Sequence, residues 1–368
     1  IASSIELSVG IGVILTIIST CFLQGLLELL QTSDLIMKDS LTYGYVLFGG
    51  LIATLAYNLC ACILRALGDS KTPFIAIIIS SIVNVTLNYV FIFPLQAGVA
   101  GAAIATIISQ IISAGICFIK LRKVDIIKMV ASDFKADFVL YGKLLMNGIP
   151  MAIMNSITAV GCMVVQYFVN GLGVIYTSAY SACSKYINLF MQPAATAGLA
   201  MSSFTSQNYG AKRYDRIREG LHVCLSIALI AYVVLGSVMF FFPRALALLM
   251  LNGEESIALV VEFLPICGLM IWGVDSLFVF RNGCQGMGKP LIPMISGVAE
   301  MIMRIAAIVL LVNVVGFRAT AYAEVAAWLV ALAMNFTAFE YHLRKEMKHI
   351  EIPEATGKKY YYKLRRGK

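Results

Sequence analysis

Few ionisable side chains interrupt the long apolar stretches of this sequence, and those few are where chemistry could be done. Asp275, in Trp272-Gly-Val-Asp-Ser-Leu277, lies deep in an apolar run about six residues before Arg281. A charge at the centre of a membrane helix costs about 3 kcal/mol on insertion scales, so such a residue is a functional candidate by default. Burial makes its charge depend on whether a proton or a sodium ion occupies it; a fixed structural ion pair is the competing reading. Glu300 and Arg304 stand one helical turn apart and can neutralise each other, either to orient the bundle or to rearrange during transport.

Ser181, Lys185, Asn188 and Gln192 recur at helical spacing and form one polar stripe. Such a stripe is ill suited to lipid: it packs on a neighbouring helix or lines an aqueous cavity, and Lys185 favours the cavity. Asn155 and Gln166 are expected to face that cavity from the preceding span. Met146, Met151, Met154 and Met163 offer adaptable surface for apolar cations, although core filler would look identical. Asn84 and Asn88, also one turn apart, combine with Thr106 and Gln110 of the next span into a set of oxygens that could ligate sodium. Hydrogen bonding between helices, worth about 0.6 kcal/mol a contact, is the plainer alternative.

Other motifs dissolve on inspection. Gly283 to Lys289 fits G-x-x-x-x-G-K, but Pro290 stands where a magnesium-binding hydroxyl belongs, so no nucleotide cofactor is expected. No G-x-S-x-G, H-E-x-x-H or paired carboxylates mark an enzyme. The nine cysteines lie in apolar segments without Cys-x-x-Cys or a nearby His, and read as small hydrophobes.

The elements that must hold these residues are membrane helices. Hydrophobic residues make up 60% and charged residues 13% of the chain, beyond what a soluble core absorbs. Lipid-exposed backbone must satisfy its own hydrogen bonds, which predicts helices over 9–31, 41–64, 73–94, 97–119, 144–169, 174–201, 221–242, 257–280, 291–315 and 319–341. Kinks are expected at some of Pro150, Pro193, Pro265 and Pro293. The net charge of +8 collects in alternate loops, among them Arg65 and Lys71, Lys120 to Lys143, Lys212 to Arg218, and Arg281 with Lys289. That pattern places both ends in the cytoplasm and argues for topology rather than nucleic-acid binding.

Residues 122–143 read as a cytoplasmic linker between an N-terminal helical lobe (1–121) and a C-terminal six-helix lobe (144–343), followed by a basic tail (344–368). A repeat supports the division: Arg65-Ala-Leu-Gly-Asp-Ser-Lys-Thr-Pro73 joins two spans in the first half, and Arg281-Asn-Gly-Cys-Gln-Gly-Met-Gly-Lys-Pro290 does so in the second. Four spans precede the loop in the second lobe and two in the first, so two further helices are expected upstream of Ile1.

The stretches Arg65–Pro73, the Asn84 helix, Gly98-Val-Ala-Gly-Ala-Ala-Ile-Ala-Thr106, Gln207-Asn-Tyr-Gly-Ala-Lys-Arg-Tyr-Asp-Arg216, Asp275 through Pro290 and Glu300-x-x-x-Arg304 together resemble the multidrug and toxic compound extrusion (MATE) family, nearest its bacterial DNA-damage-inducible-protein-like branch. The resemblance implies an all-α integral membrane protein of six-plus-six helices, about ten of them present here. It implies a monomer in the cell membrane that exports organic cations or drugs by alternating access, in exchange for sodium or protons. Asp275 matches the acidic position of the family's tenth helix, and Asn84 and Thr106 match first-lobe cation positions, with sodium the metal expected there. Asn88-Tyr89 departs from the family's Asp-Pro. The alternative within the superfamily is a lipid-linked oligosaccharide flippase, for which Lys185 and Arg304 would meet phosphate.

Overall fold

The computed structural model describes residues 1–29, 34–124, 134 and 137–347, with only the backbone of residues 29 and 34–36. Most of the expected linker, at 125–133 and 135–136, and the basic tail from 348 onward lie outside the described residues. The chain divides into two compact units, Ile1–Leu145 and Met146–Lys368.

The first unit contains α1 (Ala2–Leu29), α2 (Asp34–Gly49), α3 (Leu51–Ala66), α4 (Lys71–Ile92), α5 (Gly98–Arg122) and the first turns of α6 (Phe138–Leu172). α5 packs on α3 and α4 around Tyr57, Ala61, Leu64, Ala76, Cys117 and Leu121. α2 and α3 bend by 43° at Gly50, where a Cβ would strike the Ile107 side chain at 2.3 Å. The Tyr141 hydroxyl donates to the Glu6 carboxylate and ties the start of α6 to α1. α6 begins at Phe138, inside the segment expected to be linker, because Asp137 accepts hydrogen bonds from the Val139 and Leu140 amides and caps the helix.

The second unit is organised around α12 (Glu254–Gly286), which packs against α7 (Val174–Phe190), α8 (Gln192–Gly210), α9 (Tyr214–Ala231), α10 (Ser237–Phe241), α11 (Pro243–Leu248) and α14 (Arg318–Met347). α13 (Leu291–Val315) pairs mainly with α14. Small residues let backbones close in, as membrane helices require. A Cβ on Gly198 of α8 would lie 2.8 Å from the Phe278 carbonyl of α12, and one on Gly286 would lie 2.6 Å from the Ser202 carbonyl. Outward faces keep large apolar side chains such as Ile82, Phe118, Val233 and Leu310 exposed, the surface a hydrocarbon solvent accepts.

Among the described residues eight helices are long and apolar enough to cross a membrane, and the bent pair α2–α3 makes a ninth when counted as one span. The stretch expected as a continuous span over 174–201 is instead two helices, α7 and α8, meeting at Met191. Its polar residues dilute the apolar content, and Pro193, in the first turn of α8, cannot donate to the turn before it. Pro293 likewise sits in the first turn of α13, so of the four prolines only Pro150 and Pro265 are interior to helices.

The two repeat loops close identically. Gly68 and Gly288 take positive φ (88° and 71°), and the next residue's amide reaches back five positions, Asp69 to the Leu64 carbonyl at 2.9 Å and Lys289 to that of Cys284 at 3.1 Å. This is the Schellman cap, which satisfies terminal carbonyls and requires a left-handed residue that glycine supplies without strain. After the first cap, the Asp69 carboxylate accepts from the Thr72 amide (3.0 Å) and hydroxyl (2.7 Å), which starts α4 and holds that carboxyl below the usual carboxylate range.

Candidate functional site

α12 carries Asp275 to the wall of a cavity of about 320 Å3 lined by Ala228, Leu229, Tyr232, Trp272, Asp275 and Ser276. The carboxylate is 2% exposed, and its Oδ1 has no hydrogen-bond partner. The opposite wall comes from the end of α9, where residues Tyr232–Gly236 form a π-helical turn inside the span Tyr214–Phe241. Such a turn inserts an extra residue and re-aims side chains, and it concentrates at functional sites. At its last residue this turn touches α12 backbone to backbone: a Cβ on Gly236 would meet the Gly268 carbonyl at 2.7 Å, and one on Gly268 would meet the Gly236 carbonyl at 2.9 Å. The Tyr232 hydroxyl donates to the Leu269 carbonyl at 3.4 Å and anchors its ring at the cavity. A lone buried carboxylate between an indole and a phenol is the chemistry that holds a cation, by charge and by the aromatic quadrupoles.

Arg281 follows on the same helix. It was expected in a cytoplasmic loop, but α12 extends beyond it and buries it at 7% exposure. Its Nη2 lies 2.6 Å from Glu300 Oε2, and this partner is what allows the charge inside. Glu300 Oε1 accepts from Arg304 Nη2 at 3.1 Å, and the same nitrogen donates to Glu324 Oε2 at 3.0 Å. Tyr180 donates its hydroxyl to Glu324 Oε1 at 3.4 Å. Glu300 and Arg304, read as a pair that either orients the bundle or rearranges, are therefore members of a buried ion chain joining α12, α13, α14 and α7. A guanidinium already held by two carboxylates is poorly disposed to bind a lipid phosphate.

Sequence reasoning missed Glu324, Arg281 and Tyr180 as members of this chain. Glu324 could have been found: it is an acid in an apolar run, and the insertion cost applied to Asp275 applies equally to it. Arg281 and Tyr180 carried no comparable signal, since one looked like a loop cation and the other like core.

In the first unit Asn84, Asn88 and Thr106 do come together. Asn88 Nδ2 donates to Asn84 Oδ1 at 3.0 Å, and Asn84 Nδ2 donates to Thr106 Oγ1 and Ser109 Oγ, both at 3.4 Å. Asn88 Oδ1 and Gln110 Oε1 are buried without partners. The amide nitrogen of Asn84, not its oxygen, faces the hydroxyls, so sodium ligation here requires a half-turn of that amide.

The polar stripe behaves differently. Lys185, Asn188 and Gln192 are exposed, Ser181 is half-buried, and the stripe crosses the break at Met191. Gln192 Nε2 donates to the Asn188 carbonyl at 3.1 Å across that break. On α6 Asn155 is exposed, whereas Gln166 donates to Asn170 Oδ1 at 2.7 Å along its own helix. Of the four methionines Met154 is buried, packed where a Cβ on Gly297 would lie 2.9 Å from its Cγ, as core filler; Met146 and Met163 are exposed.

An all-helical bundle with ionisable groups held inside its spans defines the class, a multi-pass integral membrane protein. The sequence pattern of the MatE family matches residues 1–90 and 150–315, more than half of the chain, and the chain belongs to that family, one of transporters rather than enzymes. It is 30% identical over 265 residues to the "Probable multidrug resistance protein YoeA" of Bacillus subtilis, covering 70% of this chain and 57% of that one. It is 25% identical over 301 residues to the "Probable multidrug resistance protein NorM" of Thermotoga maritima, covering 80% and 64%. The chain thus spans less than two thirds of the length of these relatives. The fold also matches the structure of a MOP superfamily transporter from Pyrococcus furiosus, with a TM-score of 0.88 at 18% identity over 94% of this chain and 79% of the other.

Proposed function

We propose that this chain is the body of a secondary active antiporter in the cell membrane, exporting organic cations or drugs in exchange for sodium or protons by alternating access. The observation that carries this reading is Asp275: buried, with a partnerless Oδ1, on a cavity shared with Trp272 and Tyr232. A carboxylate of this kind binds either a coupling cation or a cationic substrate, and competition between the two gives exchange. Ion and substrate must favour opposite-facing states, since a ligand shifts an equilibrium only by its differential affinity. The names of YoeA and NorM support drugs as cargo.

Asn84, Asn88 and Thr106 form a second, uncharged candidate for sodium, reached by turning the Asn84 amide. Lys185, Asn188, Gln192 and Asn155 are the polar surface along which substrate would pass. In this reading the protein works as a monomer with both ends in the cytoplasm. The test is ethidium efflux from proteoliposomes bearing the full-length protein and an imposed sodium or proton gradient. Asp275→Asn should abolish gradient-driven efflux while membrane insertion is kept; efflux at the unsubstituted rate would remove Asp275 from the mechanism.

A further inference from the structure

We infer that Arg281 and the ion chain behind it are positioning residues: they fix the rotation of α12, and with it the aim of Asp275, while binding no coupling cation themselves. The inference rests on Asp275 being the cation-binding carboxylate.

Charge balance supports the second half. The chain holds two guanidinium groups, Arg281 and Arg304, and two carboxylates, Glu300 and Glu324, with the neutral Tyr180 phenol and Cys162 thiol beside them and Ser184 hydrogen-bonded to Tyr180. With both carboxylates ionised the buried assembly is neutral. One added proton or sodium ion would leave an uncompensated positive charge in the helix interior, the costly state for a buried pair. Asp275 is the reverse case, a carboxylate with no basic partner among the described residues, so an incoming cation neutralises it.

Helix geometry supports the first half. Six residues separate Asp275 from Arg281, roughly 9 Å of rise and about 240° of net rotation. One therefore points to the α9 side of α12 and the other to α13. A turn of about 30° around the helix axis moves a side-chain tip by roughly 3 Å. That is enough to take Asp275 off its cavity wall, and enough to break the 2.6 Å contact of Arg281 with Glu300. Glycine contacts at Gly268 and Gly286 set how near the neighbours of α12 approach, whereas a directional ion pair sets its angle. Pro265 removes one rung of the α12 ladder and makes such an external reference more necessary.

The cavity carries its own reporter. The sequence has two tryptophans, Trp272 on the cavity and the buried Trp328, so Trp328→Phe leaves Trp272 as its one tryptophan, excited apart from the tyrosines at the red edge of absorption. In proteoliposomes, iodide quenching reads the exposure of Trp272, and its emission against sodium or pH reads cation occupancy of the cavity. Arg281→Lys and Glu300→Gln should each change the quenching constant by about twofold or more, and the double variant Arg281→Gln with Glu300→Gln, in which an amide–amide hydrogen bond replaces the ion pair and leaves no charge unpaired, should return most of the way, as coupled neighbours do. The double variant leaves Arg304 and Glu324 balanced, so its cation titration should keep the unsubstituted midpoint and slope. Arg281→Lys retains the charge and serves where Glu300→Gln fails to insert.

Unchanged quenching in the single variants would overturn the positioning role. A lost or shallower cation titration in the double variant would overturn the claim that the chain binds no cation. Asp275→Asn should abolish the titration; if it persists there, the reading of Asp275 fails, and the Arg281→Lys quenching still decides the positioning separately.

Discussion

Asp275 and Arg281 lie six residues apart on one helix, both buried, and they illustrate two ways of keeping charge inside a membrane protein. Arg281 enters a chain of alternating charges in which every member has an opposite partner within 3.1 Å. Asp275 has an unpartnered oxygen and open space beside it. Burial is common to both and so cannot mark the site. What separates them is whether the charge is already compensated, because only an uncompensated group gains from an arriving cation.

The largest effects should come from unbalancing the chain. Glu324→Gln leaves Arg304 with a single carboxylate and should cost about 3–5 kcal/mol, the usual penalty for breaking a buried pair. It would be seen as a large loss of thermal stability in detergent. Asp275→Asn, removing a carboxylate that nothing compensates, should leave the melting temperature unchanged or raise it. If both substitutions destabilise alike, the contrast between them is broken.

Next in size is the contact that shapes the cavity. Gly268→Ala would drive a methyl to within 2.9 Å of the Gly236 carbonyl and 2.7 Å of Met239 Cβ, prising the π-helical turn and α10 from α12. A stability loss of about 1–3 kcal/mol is expected, together with weaker ethidium binding. Gly161→Ala sharpens the comparison from the other side, since its methyl would approach Arg304 Nη1 at 3.0 Å. It should lower stability without changing the cation dependence of transport.

The uncharged cluster should respond least. Asn88→Ala removes the 3.0 Å hydrogen bond to Asn84 and should cost about 0.6 kcal/mol, the average for such contacts between membrane helices. If it instead abolishes sodium dependence while proton-driven efflux persists, the first unit holds the sodium site. At the repeat loop, Asp69 is held below its ordinary range by the Thr72 hydroxyl and amide. Its stabilisation is therefore present above the unfolded value near pH 4 and is lost as the pH falls through the lower folded value. The protection of the Thr72 amide relative to its intrinsic exchange rate should fall on acidification in this window, and Asp69→Asn should flatten that response.

Much of this was legible in the sequence because membrane physics leaves few options. Length, apolar content and self-satisfied backbone set the helices, and the repeat of Arg65–Pro73 in Arg281–Pro290 marked two matching loops, whose glycine caps at Gly68 and Gly288 only the structure showed. Asp275 stood out by insertion cost alone. The stripe through Lys185 was legible as helical spacing, whereas the break at Met191, where Pro193 restarts the helix, was not. The ion chain was half visible: Glu300 and Arg304 are local in sequence, but Arg281 and Glu324 join them through tertiary contacts 19 and 20 residues distant. Spacing along one helix cannot report a partner on another.

The most direct test of the central claim is whether an organic cation and the coupling ion compete at one carboxylate. Tetraphenylphosphonium added to the purified full-length protein should displace bound sodium, or release protons into weakly buffered solution, one for one. Asp275→Asn should bind the probe weakly and displace nothing. Equal displacement from the unsubstituted protein and from Asp275→Asn would contradict the account.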